Sequence, residues 1–182
     1  MKKLLNIELN RLSVEEFRKA SKFPVIVVLD NIRSLNNTGS VFRTSDAFLF
    51  EEVVLCGITG TPPHREIEKT ALGATLSVKW EYFSKTEEAV KQLRNRGYMI
   101  ISVEQTAGSV QLNKFRINKE NKYAIVFGHE VKGVQQEVVD LSDNCIEIPQ
   151  KGTKHSINIA VSAGIVLWEF FKAFQQGGID EE

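Results

Sequence analysis

Short β-branched runs alternate with segments of helical period along most of this chain. The alternation predicts an α/β fold in which a mostly parallel sheet carries helices on both faces. Runs such as VIVVL and AIVF are apolar at nearly every position, which is typical of strands covered on both sides. The sequence predicts six strands, over residues 24–30, 51–58, 77–83, 98–105, 123–128 and 145–150. It predicts helices over residues 38–49, 65–72, 85–96, 134–141 and about 156–175.

The two ends of the chain differ from this alternating part, which we expect to form one domain over residues 23–176. Residues 1–22 read as an amphipathic N-terminal extension with a helix N-cap at Ser13. The apolar positions at helical spacing in this extension are Leu9, Leu12 and Phe17. Residues 177–182 read as a flexible acidic tail, and the loop over residues 106–121 is long and polar.

The cysteines and the apolar stretches bear on where the protein resides. Cys56 and Cys145 lie far apart in apolar runs, which favours two buried free thiols over a disulfide. The N-terminus lacks the continuous apolar segment of a signal peptide. The longest apolar stretch, residues 157–174, is interrupted by polar and charged residues and predicts no membrane span. We therefore expect a cytoplasmic protein without membrane contact.

Charge is balanced overall but segregated along the sequence. The chain has 23 basic and 23 acidic residues, which excludes a polybasic nucleic-acid arm. Residues 1–43 nevertheless carry eight basic and four acidic residues, whereas residues 156–182 carry one Lys and four acids. A nucleic-acid partner therefore remains compatible with the composition.

Polar, glycine-containing segments follow several predicted strands, where open parallel sheets bind ligands. They are DNIRSLNNTGSVFR, EQTAGS, FGHEVKG and PQKGTKHSIN. The glycines do not form a dinucleotide-binding motif, and GHEVKGV lacks the Lys and Ser/Thr of a phosphate-binding loop. The chain has no GxSxG sequence for a serine nucleophile, and its three histidines share no spacing typical of metal ligands. We therefore expect no metal site.

Three of these segments, in chain order, resemble the three motifs of the SpoU/TrmH family of RNA methyltransferases, within the SPOUT superfamily. They are NTGSVFR at 37–43, FGHEVKG at 127–133 and IPQKGTKHSIN at 148–158, and HREIEKTALGA at 64–74 also resembles a family segment. The resemblance covers about residues 24–175. It implies transfer of a methyl group from S-adenosyl-L-methionine to an RNA ribose 2′-hydroxyl. It also implies a homodimer and a C-terminal deep trefoil knot.

The resemblance assigns catalysis to five motif residues, which are Asn37, Arg43, Glu130, Ser156 and Asn158. Arg43 would meet the RNA beside the methylated ribose. Because a guanidinium stays protonated, a clamp that orients the ribose and stabilises developing alkoxide charge suits Arg43 better than the role of base.

Structural roles stay open for the same residues. Asn37 could orient Arg43 or Glu130, or cap the helix after the first strand. Glu130 could hold Arg43 in a bidentate pair, or be a carboxylate that the dipole of a following helix favours. Arg43 could be an ion-pair partner, and Ser156 could cap the final helix.

The family's cofactor contacts carry over by position to Val103, Glu104, Gly128, Ile148 and Ile157. Many relatives have IPM where this chain has Gln150 after Pro149, a modest departure that affects the shape of the cofactor slot. RNA contacts are expected at Arg33, Arg43, Lys114 and Arg116. Exposed loops are the usual targets of specific RNA recognition, which favours tRNA over rRNA.

Two other functions remain open. One is a catalytically silent RNA-binding or ribosome-assembly factor of the same fold, and the other is an unrelated α/β enzyme that acts on a small nucleotide. Because the charge is balanced, we also expect weak nonspecific RNA affinity.

Overall fold

A single parallel sheet of seven strands organises the chain, with the strand order β3-β2-β1-β6-β4-β7-β5. The structure, a computed structural model, describes residues 1–175, and the predicted tail at 177–182 lies outside them. The strands are β1 (Phe23–Asp30), β2 (Phe50–Cys56), β3 (Lys79–Phe83), β4 (Tyr98–Val103), β5 (Val110–Gln111), β6 (Lys122–Phe127) and β7 (Asn144–Glu147).

The prediction of six strands was wrong by one. The additional strand, β5, has two residues and pairs with β7 at the edge of the sheet, inside the segment expected to be a polar loop. A two-residue strand is too short to show an alternating pattern. The other six strands fall within three residues of their predicted ends.

Seven α-helices lie along the described chain. They are α1 (Val14–Lys19), α2 (Leu35–Ala47), α3 (Arg65–Ala71), α4 (Ala74–Ser77), α5 (Thr86–Asn95), α6 (Gln136–Asp140) and α7 (Ile159–Gln175). The short α4 was not predicted, and α7 begins three residues after the predicted start at 156.

Alternate residues of the central strand supply two separate cores. Val25, Val27 and Leu29 of β1 pack with residues of α1 to α4 and α7. Ile26 and Val28 pack with residues of α5 and α6 on the opposite face. Successive side chains of a strand point to opposite faces, so a strand that is apolar throughout is covered on both. The prediction of helices on both faces is confirmed.

The N-terminal extension contributes one short helix. Ser13 caps α1 as predicted, since its hydroxyl accepts from the backbone N–H of Glu16 and the Glu16 carboxylate accepts from Ser13. The predicted common helix face is wrong, because Phe17 is buried whereas Leu9 and Leu12 precede α1 and are exposed. The Arg18 guanidinium ties α1 to α4 by donating to the Leu76 carbonyl at 2.6 Å.

Helices α2 and α3 approach each other closely at Gly39. A Cβ at this position would lie 2.2 Å from the Ile67 carbonyl oxygen and 2.2 Å from Thr70 Oγ1. The glycine of the first motif therefore has a packing role, because its missing side chain lets α3 lie against α2.

We expect Gly39→Ala to lower the free energy of unfolding by about 1–3 kcal/mol, because the new methyl group overpacks the contact with fixed backbone. Urea unfolding would measure the change. Gly164→Ala is the matched control, since an added Cβ in α7 meets nothing within 4 Å. Alanine there stabilises a helix by about 0.5–1 kcal/mol. Equal effects of the two substitutions would contradict the packing role.

The strand order brings the predicted functional segments together at one edge of the sheet, which we call the functional edge. The carboxyl ends of the neighbouring strands β1, β6, β4 and β7 lie side by side, and the segments that follow them carry the three motifs and the EQTAGS segment. No helix among residues 1–175 has the length and apolar character needed to cross a membrane.

Candidate active site

A cleft of about 460 Å³ opens at this edge of the sheet. All five predicted cofactor contacts line it, as do three of the five predicted catalytic residues, Glu130, Ser156 and Asn158. Residues distant in sequence therefore meet in one place. Arg43 and Asn37 are not among the lining residues.

One wall of the cleft is the segment 128–134, which folds back on itself. His129 and Gly133 exchange backbone hydrogen bonds of 3.0 and 2.8 Å, and His129 Nδ1 accepts from the N–H groups of Val131 and Lys132. Gly128 lies under this turn, where a Cβ would be 2.1 Å from the backbone nitrogen of Val134. Only glycine fits at this position.

Glu104, just after β4, holds the same turn from the other side. Its Oε2 accepts from the backbone N–H of Val134 at 2.8 Å, and its Oε1 accepts from the N–H of Gln105 at 2.9 Å. A Cβ at Gly133 would lie 2.1 Å from Glu104 Oε2. The carboxylate therefore fixes the turn to the end of β4 while it lines the cleft.

Glu130 bonds to the start of α2 and not to Arg43. Its carboxylate accepts from the backbone N–H groups of Arg33 and Ser34 at 3.1 and 3.0 Å, and from Asn37 Nδ2 at 3.2 Å. Partial burial alone raises the pKa of this carboxyl, but the hydrogen bonds from Arg33, from its own backbone N–H, from Ser34 and from Asn37 outweigh burial and lower it. The predicted pairing of Glu130 with Arg43 was wrong, because these donors occupy the carboxylate.

Asn37 connects Glu130 to the final helix. Asn37 Nδ2 donates to the Glu130 carboxylate. In this orientation of the amide, Asn37 Oδ1 accepts a hydrogen bond from Asn158 Nδ2 at 3.3 Å. Asn158 Oδ1 accepts from the N–H groups of Ala160 and Val161 and so caps α7. The three motifs are therefore joined by one chain of hydrogen bonds.

Two capping interpretations were wrong. Ser34, rather than Asn37, caps α2, since its side chain accepts from the Asn37 N–H at 3.3 Å. Asn158, rather than Ser156, caps α7. Asn37 and Ser156 therefore have no capping role, and Ser156 remains an exposed hydroxyl that lines the cleft.

The lowered pKa of Glu130 predicts a dependence of stability on pH. A carboxyl of depressed pKa stabilises the fold above its unfolded value, 4.5, and the stabilisation is lost as the pH falls through the lower folded value. We expect Glu130→Gln to unfold at lower urea concentration than wild type near pH 7, and we expect the difference to shrink below pH 4.5. Glu120→Gln, at an exposed residue, should show no such gap. A difference between Glu130→Gln and wild type that stays constant with pH would contradict this role.

Arg43 lies on a different side of α2 from Asn37. Six residues separate them, which places Arg43 about 9 Å further along the helix axis and about 120° around it. Its side chain is exposed and forms no ion pair or hydrogen bond with residues 1–175, so the interpretation as an ion-pair partner was wrong. The described chain thus leaves this guanidinium free to meet a ligand.

The other predicted RNA contacts are distributed unevenly. Arg33 is exposed beside Glu130, at the start of α2. Lys114 and Arg116 flank Phe115, which packs toward Phe170 of α7, and neither lines the cleft. The structure therefore does not bring Lys114 and Arg116 together with the motif residues.

Two residues that build this edge, Asp30 and Gln105, were not among the predicted site residues. Asp30 is fully buried at the end of β1 and accepts from Thr86, from Asn31 Nδ2 and from the backbone N–H of Gln135. Gln105 Nε2 donates to the His155 carbonyl at 3.0 Å and so attaches the third motif to the end of β4. A carboxylate closing an apolar strand is a signal that could have identified Asp30.

The titratable groups show no arrangement for metal binding within residues 1–175, where no three His, Cys, Asp or Glu residues cluster. Cys56 is buried and free as predicted, and burial, the largest influence, raises the pKa of its thiol to about 12. Cys145 is free but only partly buried.

Known proteins share this architecture. The family model described as "SpoU rRNA Methylase family" matches residues 24–168. The tRNA (guanosine(18)-2′-O)-methyltransferase of Thermus thermophilus is 30% identical over 166 residues, which cover 89% of this chain and 81% of that protein. The TrmH/SpoU tRNA modifying enzyme of A. aeolicus is similar with a TM-score of 0.80 and 25% identity, over 91% of this chain and 82% of that one.

A second solved structure, the AdoMet bound rRNA methyltransferase from Sinorhizobium meliloti, has a TM-score of 0.77 and 25% identity, over 86% of this chain and 59% of that one. The family model covers most of the chain, and its range includes all three motifs. The protein is a member of the SpoU rRNA methylase family.

Proposed function

We propose that the protein transfers a methyl group from S-adenosyl-L-methionine to a ribose 2′-hydroxyl of structured RNA. The observation that carries this proposal is the hydrogen-bonded chain from Glu130 through Asn37 to Asn158, which joins the three family motifs beside one cleft. Relatives whose names describe tRNA and rRNA methyltransferases support the same activity.

The cleft suits the proposed cofactor. Apolar residues at Val103, Ile148 and Ile157 offer a low-polarity slot for an adenine, and Gly128 lines the same cleft. Bound S-adenosylmethionine would supply an electrophilic methyl group. Glu104 would keep the cleft wall in place through its hydrogen bonds to Val134 and Gln105.

The proposed catalytic groups act on the RNA side of the cleft. Arg43 would hold a phosphate next to the target nucleotide, orient its 2′-hydroxyl and stabilise the charge that develops on the oxygen. Ser156 and Asn158, at the cleft, would contact the ribose. Glu130 and Asn37 would set the position of the α2 start relative to α7.

We propose a homodimer as the active form. An apolar stripe on α7 is exposed, with fractional exposures of 52% at Val161, 38% at Ile165 and 47% at Trp168. A second copy would cover this stripe.

We propose that the C-terminal segment is knotted, which is rare in proteins. Support comes from the sheet order, in which β7 lies between β4 and the short edge strand β5 that precedes it in the chain.

The domain 23–176 would hold the whole active site, with residues 1–22 as an extension. Free cysteines and an RNA substrate fit a cytoplasmic location.

The substrate is proposed to be a tRNA loop rather than rRNA. Single-stranded loops expose the bases and ribose that a specific enzyme must reach. The similarity to the Thermus thermophilus tRNA methyltransferase supports this choice.

A catalytically silent RNA-binding factor is the second candidate, and labelled S-adenosylmethionine separates the two. We expect the purified protein to bind the cofactor in calorimetry and to transfer label to total cellular RNA. RNA binding without cofactor binding or label transfer would favour the silent factor instead.

A further inference from the structure

The loop 150–155 leaves two lysines exposed at the mouth of the cleft. Lys151 and Lys154 flank Gly152 and Thr153, and all four residues are exposed. The neighbouring Gln150 and His155 line the cleft, and so does the exposed Lys132 of the segment 128–134. Basic residues from two separate segments of the chain therefore lie at or beside the same cleft.

None of these lysines is neutralised within residues 1–175, where the five ion pairs involve other residues. No Asp or Glu occurs between Glu147 and Glu169 in the sequence. The same is true between Asp30 and Asp46, the stretch that holds Arg33 and Arg43.

These two acid-free stretches converge at the functional edge. The hydrogen bond from Asn158 Nδ2 to Asn37 Oδ1 joins them directly at 3.3 Å. The lysine loop is attached to the sheet at its end, where Gln105 Nε2 donates to the His155 carbonyl at 3.0 Å. The basic residues are therefore held near the cleft although the loop has no regular secondary structure.

We propose that Lys132, Lys151 and Lys154 form a phosphate-binding rim along which the RNA backbone crosses the mouth of the cleft. This inference rests on the proposed function and adds a contact surface to it. A polyanion fits the rim because the three lysines are exposed, form no ion pair within residues 1–175 and come from two separate segments beside the cleft, so that successive phosphates of one backbone would reach them.

The rim revises the expectation drawn from the segment charges. The residues 156–182 are acidic as a whole, but in the sequence their first acid is Glu169, well after the third motif ends at Asn158. The basic residues near the cleft thus come from the second and third motifs as well as from the basic N-terminal part of the sequence, whereas the acids that line the cleft are Glu104, Glu130 and Glu147.

The test is the salt dependence of binding to unfractionated tRNA. Each phosphate contact contributes about 0.7–0.9 to the slope of log K against log salt, so Lys151→Gln/Lys154→Gln should lower the slope by about 1.5. At about 0.1 M salt, a slope lower by about 1.5 corresponds to roughly 30-fold weaker binding. Lys132→Gln alone should lower the slope by about half as much.

Lys85→Gln/Lys91→Gln is the matched control, since both lysines are exposed and neither lines the cleft. We expect wild-type affinity and slope from it, and unchanged cofactor binding in this control and in the Lys151→Gln/Lys154→Gln variant. A rim double variant that binds tRNA with the wild-type slope would overturn the inference and leave the proposed function intact. A wild-type protein that neither binds nor methylates RNA would contradict the proposed function itself, and the rim with it.

Discussion

Replacing Arg43 with alanine is expected to lower the rate of RNA methylation by about 10²–10³-fold. The side chain is exposed and has no partner within residues 1–175, so its removal should change neither the free energy of unfolding nor cofactor affinity. The loss would fall on kcat with labelled S-adenosylmethionine and tRNA. Arg43→Lys should recover only part of the rate, because an ammonium cannot make the bidentate contact of a guanidinium.

Arg65→Ala is the matched control for this substitution. Arg65 is likewise exposed, lies in α3 and forms no ion pair within the described chain. Its removal should leave the methylation rate within a factor of about two, since typical surface substitutions change energies by about 0.5 kcal/mol or less. A wild-type kcat in the Arg43→Ala protein would contradict the catalytic role proposed for Arg43.

The second large effect is expected at Gly128. An alanine Cβ there would lie 2.1 Å from the Val134 nitrogen and 2.2 Å from the Gly133 carbonyl carbon, both backbone atoms that cannot rotate away. The turn over 129–133 must therefore shift. We expect Gly128→Ala to lower the free energy of unfolding by about 2–3 kcal/mol and to abolish cofactor binding in calorimetry.

Gly152→Ala is the control for this substitution. It replaces a glycine of a site loop without a clash, so it measures the effect of losing a glycine alone. An added Cβ at 152 meets nothing within 4 Å, and we expect near wild-type stability and cofactor binding. Cofactor binding by Gly128→Ala equal to that of wild type would show that the turn does not form the cofactor wall.

Local patterns predicted most of the fold. The two apolar faces of β1 and the capping box at Ser13 follow from residues near one another in sequence. The strand β5 could not be predicted, because its two residues become a strand only through pairing with β7. The same limit applies to the sheet order, which depends on contacts between distant segments.

At the site, the motifs predicted which residues meet but not how they bond. Glu130 was expected to hold a charged side chain, yet most of its partners are backbone N–H groups of residues 33 and 34, nearly a hundred positions earlier. Every residue except proline has a backbone N–H, so residue types do not show which N–H groups will donate to a distant carboxylate. Ser34 and Asn158 took the capping roles because the helices begin at Leu35 and Ile159, and helix ends are the least predictable part of an element.

The position of the transferred methyl group distinguishes ribose methylation from base methylation. RNA labelled by the protein with radioactive S-adenosylmethionine would be hydrolysed in alkali, which requires a free 2′-hydroxyl at each cleaved link. We expect the label to remain in one alkali-resistant dinucleotide. Label recovered in mononucleotides would place the methyl group on a base and contradict the proposed reaction.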